Sequence, residues 1–568
     1  MENIIIVDCI STGKLFIKDI VKRNYHPIVL EINLNNPDGT PNKIQEKMYK
    51  TEYTTIDDNF DVIQEQETYE KTVEMVKKLN PKLILPGNED GVELAEKLSN
   101  ELGLPGNSIE TLKARTLKDE MHNALKKAGL RHIRGKIIHT TEEALEFYRK
   151  LGLKEVVIKP RRDAASFGVT MCSNEKEIED AVKSTLGSRG YLANKEVKEL
   201  VIQERIHGDE YIVNTVSHKG VHRVTTIWKY YKKQTNDGNY IYDYMDSVNE
   251  LDISHAEMVE YAYNVADAIG IEYGPVHGEY MLDEDGPVLI EVNCRPCGGH
   301  MDEEFLDNLS GQHETDSILD SYLNPERFNY ERMQRYRLNS YGGLKWFIVP
   351  KDIFTQSLPM EHIAKELKSH HRTDLIDLND GPKLLEKTQD LETAGGVIYL
   401  NHKDYSILQK DLEFLRSVEH HAFSQIISDG LDKKTVKEDS TYDPNKIKDL
   451  LNNTTVKGTT LLITDEFIDN TNIVQCKLNK LDEICGNFEI VLLDLDESIL
   501  NVDDSEISGL ILSIKDKIKI GGIIFIPEKT YQYIAGGRNG MEALIKALNL
   551  RIEVPPHGIN DIIIATRT

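Results

Sequence analysis

Apolar and polar positions change period repeatedly along this chain. From Met1 to about Thr111, short continuous apolar runs alternate with stretches of helical spacing. Ile4 to Val7 predicts a strand, Gly13 to Arg23 a helix, and Ile28-Val29-Leu30 a second strand. A helical segment from Tyr69 to Leu79 leads into the strand Leu83-Ile84-Leu85-Pro86. Val92, Leu94, Ala95, Leu98 and Leu102 then fall on one helical face. Continuous apolar strands separated by helices predict a parallel sheet covered on both sides.

A second block runs from about Leu112 to Asp320. A helix from Thr116 to Ala128 stops at Gly129, where a C′ glycine is expected. Strands follow at Val156 to Lys159 and Leu200 to Glu204, and strands rich in Tyr, Val and Thr continue to Tyr244. A helix from His255 to Ile269 precedes two more strands, around Glu279 and Glu291. A third, mixed block from about Asn324 to Ile427 holds the strand Gly395 to Leu400 and a helix from Tyr405 to Val418. Thr435 to Asn445 is polar, contains Pro444 and reads as a linker. From Lys446 to Thr568 strands and helices alternate again, with strands at Thr460 to Ile463, Ile490 to Leu493, Gly522 to Ile526 and Asp561 to Ala565. The fold class predicted is α/β and α+β, in several domains.

Length agrees, since 568 residues at ~100–200 per domain make three to five domains. No apolar run approaches the ~20 residues a bilayer span needs. The first strand lacks a basic flank and is not expected to be a signal peptide. A formal net charge of −27 repels nucleic acid and anionic lipid, so neither is an expected partner. Six cysteines in so long a chain are not a disulfide framework, and a cytoplasmic, reducing location is expected. Cys294-Arg295-Pro296-Cys297 has CxxC spacing but follows a strand instead of opening a helix, so thiol chemistry is not expected there. Ser11-Thr12-Gly13-Lys14 is not a P-loop, because Asp8 stands where the first glycine is required.

Candidate chemistry gathers in the second block. In Leu289-Ile290-Glu291-Val292-Asn293-Cys294-Arg295, strand alternation points Glu291 and Asn293 the same way, with Arg295 on that face if the strand continues. Val276-His277-Gly278-Glu279-Tyr280 supplies a third oxygen ligand from a neighbouring strand. Oxygen-only ligands suit Mg²⁺ shared with substrate phosphates. Taken singly, Glu291 would read as a solvated acid on an edge strand. Ile158-Lys159-Pro160 puts a lysine at a strand end, before a loop of small residues around Ser166 and Gly168 that can approach a phosphate. Gln203-Glu204-Arg205-Ile206 offers backbone groups to an adenine edge, and Glu210 stands where ribose hydroxyls could be held.

In this order the pieces resemble the ATP-grasp superfamily. Leu85-Pro86-Gly87-Asn88-Glu89-Asp90-Gly91 and Leu102-Gly103-Leu104-Pro105-Gly106-Asn107 resemble the preATP-grasp domain of biotin-carboxylase-like members, and the nearest likeness is to L-amino-acid ligases and other carboxylate–amine ligases. Glu210-Tyr211-Ile212-Val213-Asn214 and Ile227-Trp228-Lys229-Tyr230 also resemble that group. The likeness covers roughly residues 1–430. It implies a preATP-grasp domain at 1–112, an ATP-grasp domain with the nucleotide and Mg²⁺ site at 113–323, and the rest of that module at 324–434. A linker at 435–445 and an accessory small α/β, Rossmann-like domain at 446–568 follow. The accessory domain resembles a degenerate methyltransferase-like fold that lacks the glycine-rich cofactor motif.

The resemblance also implies roles. Lys118 and Lys159 are the ATP-phosphate lysines, with Ser166 and Gly168 in the loop over the triphosphate. Glu204 and Ile206 form the adenine hinge and Glu210 is the ribose carboxylate. Glu279, Glu291 and Asn293 hold Mg²⁺, or Mn²⁺ in its place. Arg295 steadies the acyl phosphate. The expected reaction joins a small-molecule carboxylate to an amine through an acyl phosphate, releasing ADP and phosphate, with an amino acid or short peptide as substrate. Homodimerisation is compatible with this reading. Its rivals are a biotin-carboxylase-like carboxylating enzyme and a nucleotide-binding regulatory protein without turnover.

Overall fold

The structure, a computed structural model, describes residues 1–33, 49–163, 167–190, 196–234, 240–249, 251–332, 336–349, 353–355, 364–375, 383–385, 387–389, 391 and 393–429. Beyond 429 it describes the strands 460–464, 473–476, 488–494, 518–527, 550–553 and 562–567. The expected linker at 435–445 lies outside the described residues. The chain divides into two compact units, Met1–Gly343 and Leu344–Thr568.

The first unit opens with β1 (Asn3–Val7), β2 (His26–Glu31), β3 (Asp61–Gln64) and β4 (Pro81–Pro86), a parallel sheet in the order β3-β2-β1-β4. Alternate residues of β1 enter different cores. Ile4 and Ile6 pack with Phe16 and Ile17, whereas Ile5 and Val7 pack with Val76 and Leu98. Both faces are therefore covered, as the continuous apolar strands predict. The short β3 was not expected, because Asp61-Val62-Ile63-Gln64 has only two apolar positions. The winding order reverses at β1, with β2 and β3 on one side and β4 on the other, which makes the carboxyl ends of β1 and β4 the switch point where α/β sheets hold ligands. Gly13 lies against Gly87 there so closely that a Cβ on Gly13 would stand 2.1 Å from the Gly87 carbonyl oxygen.

A small antiparallel sheet follows, made of β5 (Gly135–Ile138), β6 (Val156–Pro160), β7 (Thr170–Cys172) and β8 (Leu200–Glu204) in the order β5-β8-β6-β7. Helices Thr141–Leu151 and Glu175–Thr185 cover it, each started by a side-chain cap, Thr140 and Asn174. The larger antiparallel sheet contains β9 (Asp209–His218), β10 (Val221–Gln234), β11 (Tyr240–Ser247), β12 (Tyr273–Asp283) and β13 (Gly286–Asn293), ordered β13-β12-β9-β10-β11. Helix Ile253–Ala268, capped by Asp252, buries Met258, Ala262 and Val265 in the core that also takes Leu289 and Val292 of β13.

In the second unit, His370–Leu375 pairs antiparallel with Gly396–His402. The helix expected to end at Val418 continues to Asp429. Glu419 explains part of the extension, since it is buried and accepts from the equally buried Lys345 Nζ at 2.8 Å. A separate six-stranded sheet has the order Ile473–Cys476, Thr460–Thr464, Phe488–Asp494, Ile518–Pro527, Ile562–Arg567, Leu550–Glu553. Its first four strands are parallel, and Ile562–Arg567 runs antiparallel to both neighbours.

Candidate nucleotide and metal site

β12 and β13 build the centre of the site. Glu279 pairs directly with Glu291, and His277 with Asn293, so these four side chains share one face. The register slips between Glu279 and Tyr280, leaving Ile290 as an extra residue in β13. That bulge sends Leu289 into the core while Glu291, two residues on, faces the site. His277 Nδ1 lies 2.8 Å from Asn214 Oδ1, and Asn214 Nδ2 donates to Thr226 Oγ1 at 2.8 Å. With that amide orientation Nδ1 donates to Asn214, and Nε2 faces Glu279 Oε1, 3.4 Å away.

Two lysines from elsewhere in the chain converge on Glu291. Lys118, the first residue of helix Lys118–Lys127, is 7% exposed, and its Nζ is 3.0 Å from Glu291 Oε2 and donates to the Asp163 carbonyl at 2.9 Å. Lys159, on β6, is 4% exposed. Burial draws its pKa down to about 8, against the pull of Glu291, and neighbouring Lys118 adds to the fall. Burial alone would push Glu291 up, but the two lysines hold it well below the usual carboxylate range. The carboxylate is thus kept anionic and already faces cations. Together with Glu279 and the Asn293 amide it forms a hard oxygen set that fits Mg²⁺.

The expected nucleotide residues are placed less uniformly. Arg134 donates its N–H to Glu204 Oε1 at 2.8 Å and its Nε–H to Oε2 at 2.7 Å. The Glu204 side chain therefore closes the β5–β8 end, and only its backbone is left to face an adenine. Glu204 N and Arg205 N donate to Arg134 and Glu155 carbonyls; among the described residues the Ile206 N–H has no such bond. Glu210 accepts from Lys232 Nζ at 2.6 Å and from Tyr242 Oη at 3.3 Å. Gly168 sits at φ +66°, and a Cβ there would meet Thr185 and Pro160, so glycine is required. Ser166 lies outside the described residues. Arg161 and Arg162 are held by carboxylates, Arg161 by Asp119 at 2.6 Å and Glu199 at 2.8 Å, Arg162 by Glu93 at 2.6 Å.

β13 stops at Asn293, so Arg295 does not continue its face. Arg295 turns instead to Glu89, with Nε 3.3 Å from Glu89 Oε2, and donates through Nη1 to the Pro296 carbonyl at 3.0 Å. Glu89 follows β4 at the switch point and brings the first sheet into the site. Sequence reasoning did not single out Glu89 or His277. The available signals were an acid just beyond a parallel strand's carboxyl end, and a histidine two residues before a ligand on the same strand. Cys294 and Cys297 are free and buried, and burial pushes the Cys294 thiol up.

The sequence of the middle block matches a described family: residues 153–304 fit the ATP-grasp domain model. That stretch is an ATP-grasp domain. The chain is 25% identical over 317 residues to dapdiamide A synthase of Enterobacter agglomerans, spanning 55% of this chain and 72% of that one. Its fold is similar to the crystal structure of L-amino acid ligase from Bacillus licheniformis, with TM-score 0.55, 18% identity, and 73% of this chain and 97% of that chain covered. It is also similar to N5-carboxyaminoimidazole synthase from Aspergillus clavatus in complex with ADP and 5-aminoimidazole ribonucleotide, with TM-score 0.52, 14% identity and coverage of 74% and 98%. The ATP-grasp resemblance and the fold class expected from the sequence are borne out. Among the described residues no helix is long and apolar enough to cross a membrane.

A second cluster of ligand-type atoms lies apart from β12 and β13. One ligand atom each from Asp19, Glu303 and His313 lies within 4.8 Å of the others. Every member is already engaged. His313 bridges Asp19 at 2.9 Å and Asp307 at 2.8 Å, Thr315 donates to Asp19 at 2.6 Å, and Lys18 and Lys22 hold Glu303. Burial lowers the His313 pKa, but its two aspartates raise it to about 10. A protonated imidazole is no metal ligand, and the cluster reads as an ionic clasp between helices Leu15–Lys22, Glu303–Ser310 and Glu314–Leu323.

Proposed function

We propose that this ATP-grasp protein is an ATP-dependent carboxylate–amine ligase that forms an amide or peptide bond through an acyl phosphate, with an amino acid or short peptide as substrate. The observation that carries the reading is Glu279 opposite Glu291, beside Asn293, with Lys118 and Lys159 converging on the same carboxylate. The dapdiamide A synthase similarity supports the ligase class. In this reading Glu204 and Ile206 hold the adenine through their backbones and Glu210 takes the ribose. Lys118, Lys159 and the loop with Ser166 and Gly168 hold the phosphates. Glu279, Glu291 and Asn293 hold Mg²⁺, which supplies charge neutralisation on the transferring phosphoryl group.

The substrate carboxylate attacks the γ-phosphorus, ADP leaves, and the amine then displaces phosphate from the acyl carbon. Phosphoryl transfer asks for alignment and electrostatic stabilisation more than for covalent help. Lys118 and Lys159 supply fixed positive charge in a buried setting, and Arg295 faces the acyl phosphate. Residues 1–112, 113–323 and 324–434 make up the ligase module on this reading, and 446–568 an accessory domain. The test is incubation with Mg·ATP and pooled amino acids, followed by phosphate release and mass spectrometry. A new amide mass formed with stoichiometric ADP is the expected result. Phosphate release that needs bicarbonate, or nucleotide binding without turnover, would replace the reading.

A further inference from the structure

A carboxylate oxygen already held by an ammonium group is a poor ligand for a metal ion, because its charge is spent. Lys118 Nζ stands 3.0 Å from Glu291 Oε2 and donates to the Asp163 carbonyl at 2.9 Å. The backbone of this lysine is fixed. Its N–H donates to the Arg161 carbonyl at 3.2 Å, and Arg161 donates to Asp119 at 2.6 Å. A change of partner therefore falls to the flexible four-carbon side chain. Lys345–Glu419, in the second unit, is a contrasting pair. Its side chains are 0% and 5% exposed, and Glu419 also accepts from the Ile348 N–H at 2.6 Å. Lys118 and Glu291 keep 9% and 16% of their side-chain surface open, so an arriving ion can reach them. Lys118 and Lys159 balance Glu279 and Glu291, and a lone divalent cation meets no net negative charge at these groups. Phosphates tip that balance, and Mg²⁺ is commonly held by one or two carboxylates together with substrate phosphates.

We propose that Lys118 is the placeholder cation of the metal site: it neutralises Glu291 until the phosphates of a nucleotide draw it away, so that the protein takes up a divalent ion only together with nucleotide. This rests on the reading of Glu279, Glu291 and Asn293 as metal ligands and adds the order in which metal and nucleotide arrive. By linkage, the ion then raises nucleotide affinity by the same factor as nucleotide raises metal affinity. Removing the lysine charge leaves Glu291 under-compensated, and a metal ion is the cation that can take its place.

Mn²⁺ is the probe, because its paramagnetic resonance signal counts the free ion directly. It is titrated into the full chain without nucleotide, and thermal melting reports that each variant is folded. Lys118→Met is expected to bind one Mn²⁺ about tenfold or more tighter than the unaltered protein, within the range of ordinary couplings between sites. Lys118→Gln, a second neutral variant, should show the same gain. Lys118→Arg keeps the charge and should bind Mn²⁺ no better than the unaltered protein. A lysine with a merely structural role would give no gain of metal binding on removal. Adding Glu291→Gln to Lys118→Met should abolish the gain. Unaltered protein that binds Mn²⁺ without nucleotide as tightly as the neutral variants would overturn the proposal. ADP affinity with and without Mn²⁺ separates this failure from that of the ligand assignment. If Glu291→Gln removes the strengthening by Mn²⁺ but neither neutral variant gains Mn²⁺, the assignment stands and the placeholder role falls. If Mn²⁺ still strengthens ADP binding in Glu291→Gln, the assignment falls and the placeholder with it.

Discussion

Two buried charge clusters in the first unit use the same residue types to different ends. Around Asp19, His313, Asp307 and Glu303, every charge has a protein partner, and three helices are locked together. Around Glu291, cations crowd one carboxylate, and nearby Glu89 Oε2 and Arg295 Nε remain without hydrogen bonds. By proximity of ligand atoms the first cluster looks more like a metal centre. Partner satisfaction separates them: a closed network holds the fold, and an open one is built for something that arrives later.

The largest expected effects come from exchanging the tests between clusters. Glu291→Gln should abolish phosphate release even per folded molecule, and Lys159→Met should lower kcat by about a hundredfold or more. Asp19→Asn should do the reverse. It strands a buried cation and should cost about 3–5 kcal/mol of stability, with kcat per folded molecule retained. Thermal melting and steady-state phosphate release on the same samples check both. Lost activity with normal melting in Asp19→Asn would make the clasp part of the site.

A second comparison is by pH. His313 has its pKa raised in the folded protein, from 6.5 to about 10. The clasp's contribution is therefore complete below about pH 6.5 and is lost as pH rises toward 10. Lys159 is shifted the other way, to about 8. Above that pH it loses the charge proposed to hold phosphate, so kcat/KM for Mg·ATP should fall with a limb near pH 8. His313→Gln should flatten the stability profile and leave the activity limb in place. A limb that moves with the His313 substitution would show that the two clusters titrate together.

The smallest expected effect concerns Cys294 and Cys297. Both are buried within reach of the site, and neither is needed for the chemistry proposed. Replacing both with Ala should change kcat by only a few-fold through packing, with no response to reductant. Inactivation by mild oxidation that reductant reverses, and that the double variant lacks, would restore the redox reading of the CxxC spacing.

Much of the site was legible because strand alternation is a local property. Glu291 and Asn293 share a face for that reason alone, and Lys159 lies one residue before the end of β6, as the change from apolar to small and polar residues predicts. The parallel sheet at the N-terminus was legible from its continuous apolar runs, since two covered faces leave no polar alternation. Short elements escaped, such as Asp61–Gln64 and Ile473–Cys476, because a few residues give no period to read. The anchoring of Arg161 and Arg162 was not legible either. Their partners Asp119, Glu199 and Glu93 are distant in sequence, and local pattern holds no record of them.

Sequence by itself therefore determined the alternation of elements, the oxygen-rich strand pair, and the chemistry those residue types can support. Tertiary structure decided the rest. It set Glu279 opposite Glu291 through a register and a bulge at Ile290, brought Lys118 onto Glu291, ended β13 before Arg295, and delivered Glu89 from another sheet. The reason is physical. Periodicity is fixed within a few residues by backbone geometry, whereas the charge a buried group feels depends on whatever the folded chain places within a few ångströms of it.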